Sequence, residues 1–235
     1  MREPELVNKR LDASCRVAMA GLWHDLGKFA ERGRVGADHP RLDRQRQLVC
    51  PRKTHPDANF KSWTHAHAAY TGIQLDELEA LLPKLVDVDV APFGSSQDRN
   101  HIDDSLANAA AMHHKPETFL QWVIATADRV ASGFERNDFD AYNAAEEQPD
   151  HYQARLLSQL EQIELSGGKS GRDRCKYAYP LLPLSPSAIL PARNSKLERS
   201  QAAAQTEYAE LWRGFVAGVK SIPEAHRQTL PVWLD

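Results

Sequence analysis

A chain of 235 residues with a net charge of −3 can bury a sizeable core but cannot coat nucleic acid over its whole surface. Hydrophobic residues at 42% and charged residues at 26% exclude wholesale disorder, and no run approaches the eighteen apolar residues of a membrane span. Cys15, Cys50 and Cys175 lie far apart without a CxxC pair, which excludes a disulfide framework and a thiolate zinc site.

The charged opening MREPELVNKRLDASC lacks the apolar centre of a secretory signal, so a cytoplasmic protein is expected. Leu11, Cys15, Ala18, Met19, Leu22, Leu26 and Phe29 recur at three- and four-residue intervals, which predicts a first helix with one buried stripe and His24-Asp25 near its end. Residues 33 to 62 read as a long polar loop. From Arg32 to Lys61 the chain carries eight basic residues against three acids, a local surplus able to attract a phosphate backbone.

A second helical stretch is predicted from Trp63 to Asp89, interrupted by Pro83. Asp103 or Asp104 then caps a helix through Leu106, Ala110 and Met112 into His113 and His114, ended by Lys115 and Pro116. From Glu117 to about Asn137, Phe119, Leu120, Val123, Ile124, Ala127, Val130, Ala131 and Phe134 define another apolar face, and Asp128 lies on it. Further helices are predicted over 150 to 165 and 199 to 219. The Gly-, Pro- and Ser-punctuated stretch between them should be loop or short extended structure. Its Gly-Gly-Lys-Ser is no phosphate-binding P-loop, because Ile163 stands where that motif needs a glycine.

The chemistry lies in the polar residues on these core faces. An unpartnered buried carboxylate costs several kcal/mol or loses its charge, about the largest penalty a single side chain can impose. His24, Asp25 and Asp128 relieve it most simply by sharing a divalent cation, which imidazole and carboxylate hold together. Downstream, WTHAHAAYT supplies His65 and His67, and AAMHHKP supplies His113 and His114. The order is HD, His, His-His, Asp.

That order resembles the HD superfamily of metal-dependent phosphohydrolases, which are all-helical. LWHDLGKFAER, HAAYT, MHHKP and ATADRVASGFER further resemble the N-terminal HD nuclease domain of the large subunit of type III CRISPR effector complexes, and YPLLPLSPSAILP resembles the linker that follows it. The resemblance spans residues 10 to 235 and is most specific over 21 to 31 and 112 to 136. It implies an all-α HD fold with long loops. It also implies metal ligands at His24, Asp25, His113, His114 and Asp128, with one more from the THAH stretch, where His67 fits the spacing better and His65 is the alternative.

Two departures stand out. No histidine precedes His24, which leaves the second metal shell open. The family's polymerase-like domains with their Gly-Gly-Asp-Asp motif have no counterpart here, and the closing TLPVWLD stops inside what should be another helix. An excised domain is therefore expected, with a parent extending past Asp235.

The expected organisation is an HD core over 1–165, a Pro/Gly/Ser-rich connection over 166–198, and over 199–235 a helix packed on the core that begins the linker to further domains. The expected activity is cleavage of single-stranded DNA with little sequence preference, as part of antiviral defence, with no membrane partner. Asp25 is expected to bridge two cations, with His24 and Asp128 on one and the later histidines on the other. Mixed imidazole and carboxylate shells suit Mn, Fe, Co or Ni better than Mg. Lys28 is the candidate point charge for a phosphate oxygen. Other subunits and the guide RNA of a type III complex are the expected partners. The alternatives are an HD phosphohydrolase of nucleotides or cyclic dinucleotides, and a non-catalytic docking module of an RNA-guided complex.

Overall fold

A computed structural model describes residues 3–54, 61–82, 91–94, 104–133, 177–179, 185–193 and 201–227. The predicted helix over 150–165, Pro83, the Gly-Gly-Lys-Ser turn, the closing TLPVWLD and both expected domain boundaries lie outside these residues. The fold is all-α. Helix α1 spans Glu3–Trp23, α2 Gly27–Arg32, α3 Leu42–Val49, α4 His67–Leu78, α5 Leu106–Ala111 and α6 Phe119–Gly133. After them come α7 Pro186–Ile189, α8 Gln201–Ser221 and α9 Glu224–Arg227. Two short antiparallel ladders join them, β1 (Arg52–Thr54) with β2 (Lys61–Trp63) and β3 (Tyr177–Ala178) with β4 (Ala192–Arg193).

Among the described residues α4 is the most enclosed element. Every residue from His67 to Leu75 is buried, so this helix is enclosed on all sides rather than along one stripe. It packs against α2, α3 and α5, while α1 lies against α5 and α6. Small residues make the close approaches possible: α5 reads LANAAA, and a Cβ on Gly27 of α2 would fall 2.1 Å from the His67 carbonyl oxygen. Helix α8 docks on the far side of α2, where Arg32 donates to the Tyr208 hydroxyl at 2.9 Å.

Several expectations are corrected. The stretch predicted as a polar loop holds α3 and the β1–β2 ladder. Leu42 and Val49, seven residues apart, are the buried residues of α3, too few for a readable period, so the helix depends on packing against α4. The second helix begins at His67, because Trp63 pairs with Arg52 across the ladder. The cap of α5 is Ser105, whose Oγ accepts from the Asn108 amide at 3.1 Å, while Asp104 accepts from Thr118 Oγ1. That helix ends at Ala111, which leaves His113 and His114 in the following turn.

The buried faces also differ from those expected. In α1 they are Met19, Ala20 and Trp23, with Leu11 and Leu22 mostly exposed. In α6 they are Gln121, Ile124 and Ala125, while Phe119, Val123 and Val130 are exposed. Gln121 is inside because its Oε1 accepts from the Glu117 and Thr118 amides and so caps α6.

Candidate metal centre

The sequence-predicted ligands converge from four places in the chain. His24 and Asp25 sit in the turn between α1 and α2, His67 opens α4, His113 and His114 follow α5, and Asp128 lies in the middle of α6. His113 is 1% exposed and His67 8%. The His24 Nε2 atom stands 3.3 Å from Asp25 Oδ2 and 3.4 Å from Asp128 Oδ1. On the other oxygen of the same carboxylate, Asp25 Oδ1 lies 3.4 Å from His67 Nε2 and 4.0 Å from His113 Nε2. His67 and His114 bring their Nε2 atoms to 2.9 Å.

Backbone carbonyls fix two of the rings. The Nδ1 of His24 donates to the Gly21 carbonyl oxygen at 2.5 Å, and that of His113 to the Ala110 carbonyl oxygen at 2.6 Å. Both Nε2 atoms are thereby turned inward, the arrangement by which outer partners orient imidazole ligands. His24 Nε2, Asp25 Oδ1 and His113 Nε2 are buried and make no hydrogen bond. Three converging polar atoms that meet oppositely charged or polar neighbours without a hydrogen bond are costly in a dry interior, and a divalent cation would satisfy all of them.

Among the described residues two groups have the spacing to hold such an ion: His24 with Asp25 and His113, and His67 with His113 and His114. Within each, the ligand atoms lie within 4.8 Å of one another. Asp25 faces both groups through its two oxygens, and Asp128 extends the first. The donor set fits a metal.

His65 is exposed, in a left-handed backbone conformation with φ of 57°, and its ring packs on that of His114 at 3.9 Å between centroids. Of the two THAH histidines, His67 is the one inside the cluster. Lys28 is paired with Asp25 Oδ2. Arg129 lies over the Trp122 ring, and Arg136 is outside the described residues. Sequence reasoning did not assign the Gly21 and Ala110 carbonyls, because backbone acceptors leave no mark in residue type. Nor did it single out Gly27, whose close approach only the packing reveals.

The electrostatics follow from burial and proximity. Burial disfavours a charged His24, but the carboxylates of Asp128 and Asp25 outweigh it, and the pKa is pushed up to about 10. Burial would raise Asp25; the His24 and Lys28 charges overcome it and hold the carboxyl well below its usual range. His24 likewise lowers Asp128. Burial pushes His113 down to about 4, and burial with neighbouring rings holds His67 and His114 well below the ordinary imidazole value.

A cation entering between His24 and Asp25 would therefore compete with a proton on His24. Because the folded pKa exceeds the unfolded one, this proton's contribution to metal-free stability is complete below pH 6.5 and is lost as pH rises towards about 10. Metal affinity runs the other way. Calorimetric titration with Mn(II) in two buffers of different ionisation enthalpy should show release of about one proton at neutral pH, and affinity should rise roughly tenfold per pH unit from 7 to 9. Affinity that is flat across that range would remove His24 from the shell.

Comparison with protein-family models, with curated proteins and with solved structures finds no match to this chain.

Proposed function

We propose that the protein is an HD-type, metal-dependent phosphodiesterase that cleaves single-stranded DNA with little sequence preference. The observation that carries this reading is the convergence of four histidines and two aspartates, with the inward-facing Nε2 of His24 and His113 and the Oδ1 of Asp25 left without hydrogen-bond partners. His24, Asp25, His113 and Asp128 would hold one ion, and His67 and His114 a second, with Asp25 facing both. Mn, Ni, Co or Fe suits this mixture of imidazole and carboxylate better than Mg. Such ions, when bound, activate water at neutral pH and neutralise charge on a phosphate.

The protein's own groups complete the site. Asp25 and Asp128 supply the negative charge, and the Gly21 and Ala110 carbonyls keep the rings turned inward. Lys28, beside Asp25 and one-third exposed, is placed to meet a phosphate oxygen. The basic surplus between Arg32 and Lys61 supports a strand as substrate. Together with the motif resemblance, this supports a role in type III CRISPR antiviral defence, where further subunits and a guide RNA would be its partners.

One observation favours a small substrate instead. Arg41 is paired with Asp76 at 3.0 Å, Arg46 with Asp43 at 2.9 Å, and Arg52 lies over Trp63, so part of that basic stretch is already engaged. Incubation with end-labelled single-stranded DNA, and separately with nucleotides and cyclic dinucleotides, across Mn, Ni, Co, Mg and EDTA decides between them. Cleavage of DNA with the transition metals and none with EDTA is the expected outcome. Turnover of nucleotides alone would establish the second reading, and no metal binding at all would leave a docking module. Among the described residues no helix is long and apolar enough to cross a membrane.

A further inference from the structure

We infer that Thr71 is a positioning residue, a clamp that sets the distance between the His24-Asp25 turn and His67; this rests on the metal-centre reading above. Thr71 lies one helical turn after His67 on α4, so the same rigid element presents both side chains to the same side. It is fully buried. Its hydroxyl donates to the His24 carbonyl oxygen at 3.0 Å and accepts from the Gly27 amide at 3.0 Å. Those two backbone groups are the two ends of the turn that carries Asp25.

The hydroxyl's donor and acceptor are therefore both spent on the segment that bears two proposed ligands, and none on Thr71's own helix. The same turn of α4 also closes on Gly27 by direct contact. A Cβ on Gly27 would lie 2.1 Å from the His67 carbonyl oxygen and 2.4 Å from the Thr71 amide, so α2 rests directly on the first turn of α4. Hydrogen-bonded to Thr71 and packed against the His67–Thr71 turn, this segment carries Asp25, whose Oδ1 stands 3.4 Å from His67 Nε2. A shift of the turn would move His24 and Asp25 together away from His67, which α4 holds in place.

Thr71→Val keeps the shape and the β-branching but removes the hydroxyl; Thr71→Ser keeps the hydroxyl. Titrating the full chain with Co(II) reads affinity and, through the visible absorption bands, coordination geometry. Thr71→Val should weaken binding about 10- to 100-fold and shift the bands, and Thr71→Ser should restore both. Valine binding as tightly as wild type with an unchanged spectrum overturns the clamp. Wild type that binds no Co(II) overturns the metal reading itself. Urea unfolding accompanies each titration: a valine variant that folds only with metal supports the clamp, and one that folds under neither condition gives Thr71 a plain structural role and overturns it.

Discussion

Asp25→Asn is expected to abolish the proposed cleavage, with kcat falling by about a thousandfold or more, while the chain should still fold. The magnitude follows from what one carboxylate does here: it faces both groups of candidate ligands, one through each oxygen, and brings the negative charge nearest to His67 and His113. Cation chemistry at phosphates supplies several kcal/mol of transition-state stabilisation, so its loss spans about three orders of magnitude. Asparagine keeps the size of the side chain but offers one neutral oxygen and an amide donor that repels a cation.

Two further readings accompany the rate. Bound Mn(II), measured by metal analysis after dialysis, should fall from the wild-type stoichiometry. The His24 pKa should drop from about 10 towards its ordinary value, because Asp25 supplies part of the field that raises it. Wild-type cleavage by Asp25→Asn would end the case for a bridging carboxylate.

The largest loss of stability should come from Gly27→Ala, about 3 kcal/mol or more. The atoms that a new Cβ would meet are the His67 carbonyl oxygen, the Thr71 amide and the Thr71 hydroxyl, at 2.1, 2.4 and 2.6 Å. Two of the three are backbone, so no rotamer change can make room and α2 must lift from α4. Gly214→Ala is the control. Nothing lies within 4 Å of a Cβ there, and alanine in mid-helix should stabilise by up to about 1 kcal/mol. Urea denaturation of the three proteins without metal measures both effects, and a Gly27→Ala midpoint equal to wild type would mean that the two helices are not in the contact described.

How much of this was legible beforehand depends on what each residue had to reveal. The clustered residues could be read because a histidine or aspartate among apolar neighbours is conspicuous; Asp128 on α6 and His24-Asp25 after α1 are both of that kind. The choice between His67 and His65 was weaker in the sequence, since both lie in one short polar-apolar stretch, and only the start of α4 separates a buried ring from an exposed one. Register was harder. Leu11 and Leu22 fit a helical stripe as well as Met19 and Trp23 do, because α1 carries apolar residues on overlapping faces and tertiary packing chooses between them. Helix α3 was hidden because six of its eight residues are polar or exposed. Gln121 defeats composition entirely, being buried for the sake of two backbone amides.

His113 sits where the two candidate coordination groups overlap, with its Nδ1 already committed to Ala110. A single remaining nitrogen cannot serve two ions in full. Loading of two ions would thus divide the donors rather than duplicate them: the ion that took His113 would gain the richer protein shell, and its neighbour would need solvent to complete its own. If two ions bind, they would be unequal, one held more firmly than the other, and a mild chelator should then strip the centre in two stages.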